Sequence, residues 1–265
     1  MSQTAASPAR FRYRTVALPV EHGGWGFLLE PILAGLLIAP SWPGFWLALA
    51  ALAVFLLHQP LKVALKDWRS RRTYDRTRWA MRFALVYGVV ALLSFGLALA
   101  QTDACFYAPL LLAMPMAGVQ LLYESRYRGR ELIPEVFGAL ALAATAPAIL
   151  IAGGQPPALA LLLWALLGLR IVSSLLYVRT KLRRLRGKLV SRWPTIAVHG
   201  AALLAVVALA SAGSVSGWVV VAMLVLMSRA VYGLYYATDS VRPKTIGLQE
   251  LAYGILYALL VAGAL

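Results

Sequence analysis

The chain has 265 residues, of which 61% are hydrophobic and only 13% are charged, which excludes an ordinary soluble domain with its about 25% of charged residues. The net charge of +15 does not require nucleic acid as a partner. The Lys and Arg residues lie in short connections between apolar runs, where the positive-inside rule and contact with anionic lipid account for them. The single cysteine, Cys105, excludes an intramolecular disulfide.

Apolar runs of about 20 residues predict nine membrane-spanning helices, and therefore an all-α polytopic membrane protein. The predicted spans are residues 25–39, 45–64, 83–99, 106–123, 132–152, 158–178, 196–210, 218–237 and 248–265. The connections between them alternate between a set rich in Arg and Lys and a set that has neither. This alternation predicts a cytoplasmic N-terminus, and an odd number of spans then places the C-terminus outside.

The same pattern predicts a simple domain organisation. Residues 1–24 form a cytoplasmic N-terminal segment, and residues 25–265 form a single transmembrane domain. No cleaved signal peptide is predicted, because no short apolar core with a cleavage site follows the first arginines. Two long basic connections, residues 66–82 and 179–192, follow the second and sixth spans on the cytoplasmic side.

Ionisable residues within the spans are functional hypotheses, because each costs a few kcal/mol on membrane-insertion scales. The acids Glu30, Glu135 and Glu250 lie on spans that leave the cytoplasm, and Arg170 and Arg229 lie on spans that return to it. One interpretation is a set of structural salt bridges, such as Glu30 with Arg229. The other is a polar cavity open to the cytoplasm, with the same residues on its wall.

A stripe of basic residues lies on the second span. His58, Lys62 and Lys66 are four residues apart and share one face of a helix. Such a stripe can bind phosphate, although Lys side chains near a membrane surface also extend to the lipid head groups without a specific ligand.

Two short motifs carry a resemblance to a known family. Residues 19–26 read Pro-Val-Glu-His-Gly-Gly-Trp-Gly and continue to Glu30-Pro31, and residues 243–250 read Pro-Lys-x-Ile-Gly-x-x-Glu. Both resemble the YwiC-like family of bacterial membrane proteins, over most of the chain. The resemblance implies a multi-pass protein of the bacterial inner membrane.

The layout also resembles the UbiA superfamily of intramembrane prenyltransferases, which have nine helices and long cytoplasmic loops after helices two and six. Tyr123, Arg128, Pro134 and Gly138 stand close to that superfamily's pattern after helix four, and Glu135 takes the place of the usual Gln. The resemblance implies a UbiA-like bundle whose cytoplasm-facing cavity binds a prenyl diphosphate.

The chain departs from that superfamily at its aspartate-rich motifs, which hold Mg²⁺ against the diphosphate. The matching positions read His58-x-x-x-Lys62 and Arg170-x-x-x-Ser174, so cations replace the carboxylates. A magnesium-bridged diphosphate is not carried over, and no metal site or other cofactor is predicted. Lys62 and Arg170 could instead bind an anion directly through charge-assisted hydrogen bonds.

Three functions are compatible with these features. The first is a membrane protein that binds an anionic prenyl or lipid phosphate, with membrane lipids as further partners, and that could act as a transferase with Glu30 or Glu135 as a base. The second is a membrane transporter, and the third is a non-catalytic assembly protein associated with quinone or lipid. The residues predicted to bind the anionic ligand are His58, Lys62, Tyr123, Arg128, Arg170 and Arg229.

Overall fold

The computed structural model describes residues 13–19, 22–71, 74–236 and 242–265, and every regular element in these ranges is an α-helix. Most of the predicted segment of residues 1–24 lies outside the described residues, and so do Glu21 of the N-terminal motif and the connection at 237–241. The helices are α1 Arg14–Ala17, α2 His22–Ile38, α3 Trp42–Arg69, α4 Asp75–Leu99, α5 Tyr107–Ser125, α6 Leu132–Ala143, α7 Thr145–Ala152, α8 Pro157–Leu185, α9 Trp193–Ser211, α10 Gly217–Tyr235 and α11 Pro243–Ala262.

Within the described residues, seven helices are long and apolar enough to cross a membrane: α3, α4, the segment Leu132–Ala152 formed by α6 and α7, and α8 to α11. An all-α membrane protein is therefore confirmed, whereas seven described helices meet these limits and the count of nine spans stays a prediction. The first predicted span coincides with α2, whose apolar stretch Gly24–Ile38 is short. The fourth coincides with α5, in which Gln120 and Glu124 dilute the apolar residues.

Several helices continue well past the predicted spans. The helix α3 runs to Arg69 and α4 begins at Asp75, so most of the predicted connection 66–82 is helical. The helix α8 runs to Leu185, beyond the predicted end at residue 178. Hydropathy falls at the membrane edge, whereas Lys and Arg are good helix formers and let the helix continue into water.

The segment of α6 and α7 is interrupted near its middle. The helix α6 ends at Ala143, and α7 begins at Thr145. Pro147 explains the interruption, because it has no N–H to donate and its ring clashes with the carbonyl group four residues earlier. The side chains from Thr145 to Leu150 are all buried, so apolar packing fills the break.

The centre of the bundle is formed by α6, α7 and α8. In the most apolar part of the Leu132–Ala152 segment 67% of the residues are buried, against 11% in α4, which is therefore peripheral. The helix α11 packs against both α2 and α10, and it also touches α8. The ionisable side chains of α2, α8, α10 and α11 are thereby brought together in the interior.

Candidate functional site

Four charged side chains meet inside the bundle, and we call Glu30, Arg170, Arg229 and Glu250 the central ion cluster. Arg170 Nε lies 2.9 Å from Glu30 Oε1, and both side chains are only 2% exposed. Arg170 Nη2 donates a hydrogen bond of 3.1 Å to the backbone carbonyl of Glu250. Arg229 Nη1 donates to Glu250 Oε1. The cluster thus joins α2, α8, α10 and α11 through two acids and two bases.

The Glu30–Arg170 pair depends on a glycine in α11. A Cβ at Gly254 would lie 2.7 Å from Arg170 Nη2 and 2.8 Å from Glu30 Oε2. Real Cβ atoms almost never approach so closely, so only glycine leaves room for both charged groups. Although Arg170 Nε and Glu30 Oε1 are close, the N–H bond of Arg170 does not point at the oxygen well enough for a hydrogen bond. Charge attraction is therefore the main interaction between these two atoms.

The guanidinium group of Arg229 lies between two tyrosine rings. Its Cζ is 4.2 Å from the ring centroid of Tyr177 and 5.1 Å from that of Tyr253, which are cation–π distances. Its Nε and Nη2, and Oε2 of Glu250, are buried and make no hydrogen bond with any residue that the structure describes. Arg229 therefore retains two buried donors beside an unpartnered acceptor.

The predicted pairing of Glu30 with Arg229 is wrong. Glu30 pairs with Arg170, and Arg229 pairs with Glu250. The physical reason is the position of α11, which packs between α2 and α10 and brings its own carboxylate to Arg229.

A further close approach lies next to Arg229, where α8 meets α10. Lys181 Nζ donates a hydrogen bond of 2.7 Å to the backbone carbonyl of Gly233. A Cβ at Gly233 would stand 2.1 Å from the hydroxyl oxygen of Tyr177, which is 4% exposed. The position of the Tyr177 ring over Arg229 therefore requires glycine at residue 233.

We expect Gly233→Ala to reduce the free energy of unfolding by about 1–3 kcal/mol, because the added methyl overpacks a buried contact. Unfolding of the detergent-purified protein by heat or denaturant measures the change. Gly200→Ala in α9 is the matched control, since nothing lies within 4 Å of its Cβ position. Equal stability of the two variants would contradict the close contact with Tyr177.

Two of the predicted ligand-binding residues form a separate cluster between α3 and α5. His58 Nε2 lies 2.8 Å from Glu124 Oε2, and Lys62 Nζ lies 2.5 Å from Glu124 Oε1. Both basic side chains are about half exposed, with 41% and 50% of their surface accessible. Glu124 thus uses both carboxylate oxygens to hold the predicted basic stripe.

The other predicted residues lie near the ends of α5 and α6. Arg128 donates from Nε to Glu131 Oε1 at 2.5 Å and from Nη2 to Oε2 at 3.0 Å. This bidentate contact raises the pKa of the Arg128 guanidinium, which also lies over the Tyr123 ring at 5.5 Å. Glu135 Oε2 accepts a hydrogen bond of 2.7 Å from Arg179 Nη1. The structure therefore places the predicted site residues in four groups, which are Glu30 with Arg170 and Arg229, His58 with Lys62, Tyr123 with Arg128, and Glu135 on Arg179.

The end of α3, which the UbiA resemblance equates with a magnesium-binding motif, has one carboxylate, Asp67, and its oxygens are already engaged. Asp67 accepts two hydrogen bonds from Arg76, of 3.0 and 2.5 Å, and one of 2.7 Å from Thr77 Oγ1. Both oxygens are thus engaged by neighbouring donors, and the position does not fit a metal ion. No group of three or more His, Cys, Asp or Glu in the described ranges could hold a metal.

From the sequence, Glu250 was named among the ionisable residues of a possible cavity wall but not among the catalytic or ligand-binding residues, and no role was assigned to Glu124 or to the two tyrosines beside Arg229. Glu250 could have been assigned to the site, because an ionisable residue within a predicted span indicates a functional or paired group. Glu124 stood in a charged connection and looked like an ordinary surface residue. Tyr177 and Tyr253 gave no signal, because aromatic residues are common in membrane helices.

The helices and their buried ion pairs define an integral membrane protein of many spans. A family model described as YwiC-like protein matches residues 18–150, which is half of the chain, and the chain belongs to this family. The resemblance read from the N-terminal motif is thereby confirmed, whereas the motif at residues 243–250 lies outside the matched range. No curated protein and no solved structure matches the chain.

Proposed function

We propose that this membrane protein binds the anionic head group of a prenyl or lipid phosphate at the central ion cluster, on the side of Arg229. The observation that carries the proposal is the pair of buried donors, Nε and Nη2 of Arg229, without an acceptor among the described residues. A buried donor without a partner costs about 1–3 kcal/mol, and more when it is charged. A ligand that brings oxygen acceptors recovers this cost on binding.

Phosphate suits these donors for geometric reasons. A guanidinium group presents parallel N–H groups that match two oxygens of one phosphate, and the interaction requires no metal ion. The rings of Tyr177 and Tyr253 hold the guanidinium group in position. Glu250 Oε2 can accept a hydrogen bond from a protonated phosphate or a terminal hydroxyl. The apolar faces of the surrounding helices suit the hydrocarbon tail.

The proposal includes the nine-span topology, with a cytoplasmic N-terminus, an external C-terminus and the bacterial inner membrane as the location. Its support is the position of the basic residues. Lys or Arg lies at or next to the ends of α3, α5 and α8 and at the starts of α4, α9 and α11. The opposite connections, 39–41, 100–106, 153–156 and 212–216, contain neither residue. The UbiA-like arrangement of the bundle is part of the same proposal.

The binding centre is proposed to be smaller than the predicted site. Glu124 already engages His58 and Lys62, and Glu131 already engages Arg128. Arg229 is therefore the main donor, with Arg170 beside it. The catalytic roles of Glu30 and Glu135 stay predictions, and so does transferase activity.

The test is thermal stabilisation of the full-length protein in detergent by farnesyl diphosphate, with farnesol and inorganic diphosphate as separate additions. We expect farnesyl diphosphate to raise the unfolding midpoint both in Mg²⁺ and in EDTA. The informative variant combines Arg229→Gln with Glu250→Gln, which removes both charges together and leaves no unpaired ion. We expect this variant to lose the stabilisation by ligand.

Arg186→Gln is the control, because Arg186 is an exposed cation just beyond the C-terminal end of α8 and makes no contact with the central ion cluster. It should respond to farnesyl diphosphate like the unchanged protein. Stabilisation that requires Mg²⁺ would contradict the metal-free site. Equal stabilisation by farnesol would contradict recognition of the head group, and no response to any of the three would favour the assembly role.

The interruption between α6 and α7 supports a second candidate, a transporter, because broken helices near the membrane midplane are common in transporters. Liposomes loaded with labelled geranyl diphosphate separate the two functions. If the protein is a transporter, liposomes with the unchanged protein will release the label faster than liposomes with the Arg229→Gln and Glu250→Gln double variant. A binding protein would give equal release rates.

A further inference from the structure

A cavity of about 430 Å³ lies at the basic end of the α3–α4 pair, apart from the central ion cluster. Its apolar lining includes Leu61, Leu65, Trp68 and Met81, which are between 45% and 77% exposed. Arg71 also lines it. A hydrocarbon surface ending in a cation is complementary to a molecule with an apolar chain and an anionic head.

The charge in this cavity is positive. Asp67 also lines the cavity, but it is 1% exposed and its carboxylate is neutralised by the bidentate contact with Arg76. The Arg71 side chain makes no hydrogen bond or ion pair with any residue in the described part of the chain. Lys66 and Arg69 in the last turn of α3 add to the positive charge.

The backbone at Arg71 gives an independent reason to assign it a role. It lies two residues beyond the end of α3 and has a φ of 51°. The same position after α7, α8 and α9 is occupied by Gly154, Gly187 and Gly213, all with positive φ, whereas after α5 it is occupied by Tyr127 with a φ of 59°. Glycine is favoured there because a Cβ is strained in the left-handed conformation. Three of the five helix ends of this kind carry glycine, so the local backbone at Arg71 favours glycine over arginine.

We propose that this cavity is a binding site for an anionic membrane phospholipid, with the phosphate on Arg71 and an acyl chain along Leu61, Leu65 and Met81. The Trp68 ring is exposed beside Arg71, which suits the head-group level, where tryptophan is enriched in membrane proteins. The site is independent of the proposed function, because none of its residues belongs to the central ion cluster.

Quenching of Trp68 fluorescence tests the proposal. The full-length protein in detergent is titrated with phosphatidylglycerol or phosphatidylcholine that carries brominated acyl chains, and Trp68→Phe isolates the signal of this residue from the other tryptophans. We expect tighter association of Trp68 with the anionic lipid. Arg71→Gly should reduce that preference about fivefold, the factor that one cation near a lipid surface typically contributes.

Arg71→Gly is the sharpest variant because it removes the cation and installs the residue that the backbone favours. Its unfolding midpoint without added lipid should equal or exceed that of the unchanged protein. Arg186→Gln, an exposed cation at the end of α8, should retain the lipid preference.

Equal quenching by the two lipids, or a full preference for phosphatidylglycerol in Arg71→Gly, would overturn the proposal. Shielding of Trp68 from both brominated lipids would overturn it as well and would indicate a second copy of the chain on this surface.

Discussion

Replacing Arg170 with methionine is expected to lower the free energy of unfolding by about 3–5 kcal/mol, the usual cost of removing one partner of a buried ion pair. Methionine fills part of the space with apolar atoms but lacks the guanidinium group, so the effect combines the loss of the charge with the loss of its contacts. It leaves the Glu30 carboxylate 2% exposed with no opposite charge beside it. It also removes the hydrogen bond to the Glu250 carbonyl group. Reversible unfolding in mixed detergent micelles measures the loss.

A double variant separates lost pairing from lost packing. Adding Glu30→Gln to Arg170→Met removes the unpaired carboxylate and should recover a large part of the lost stability. Each change is scored by the free energy of unfolding that it removes. A loss in the double variant that is larger than the sum of the losses in the two single variants would contradict the ion pair. Arg186→Gln, which removes an exposed cation one residue beyond the end of α8, should leave the unfolding midpoint within experimental error.

Gly254→Ala is expected to destabilise the protein by about 3 kcal/mol, the upper part of the usual range for overpacking a buried site. The added methyl would lie within 2.8 Å of both Arg170 Nη2 and Glu30 Oε2. Since both groups are fixed by their contacts with each other, one of them must move away from its partner. Denaturant unfolding of the purified protein provides the measurement.

The same helix offers a matched control for this prediction. Nothing lies within 4 Å of a Cβ at Gly247, so Gly247→Ala should be neutral, or more stable by about 0.5–1 kcal/mol because alanine favours the helix. A loss of stability in Gly254→Ala without a loss in Gly247→Ala would support the position of the Glu30–Arg170 pair beside Gly254. Equal effects at the two positions would argue against it.

The sequence predicted the helices better than it predicted their contacts. Hydropathy located the apolar segments, and the cost of charge in a membrane marked Glu30, Arg170 and Arg229 as unusual. Helix ends were less predictable, because hydropathy reports the edge of the membrane and not the end of the helix. The extension of α8 to Leu185 shows this difference.

The pairing of the buried charges could not be read from the sequence. Two acids and two bases allow two arrangements, and the choice depends on which helix lies beside which. Glu250 joins Arg229 because α11 packs against α10, while α8 brings Arg170 to Glu30. The engagement of the predicted basic stripe depends on helix packing in the same way, since Glu124 of α5 pairs with both His58 and Lys62.

The charge balance of the central ion cluster has an electrical consequence. With all four groups ionised, the two carboxylates and two guanidinium groups sum to zero. Each elementary charge that crosses a membrane potential of 100 mV exchanges about 2.3 kcal/mol with the field. A rigid displacement of the whole cluster would therefore exchange almost none. A capacitive current recorded when an anion is added to the protein in a planar bilayer would report the charge of that anion, and not the movement of the helices around it.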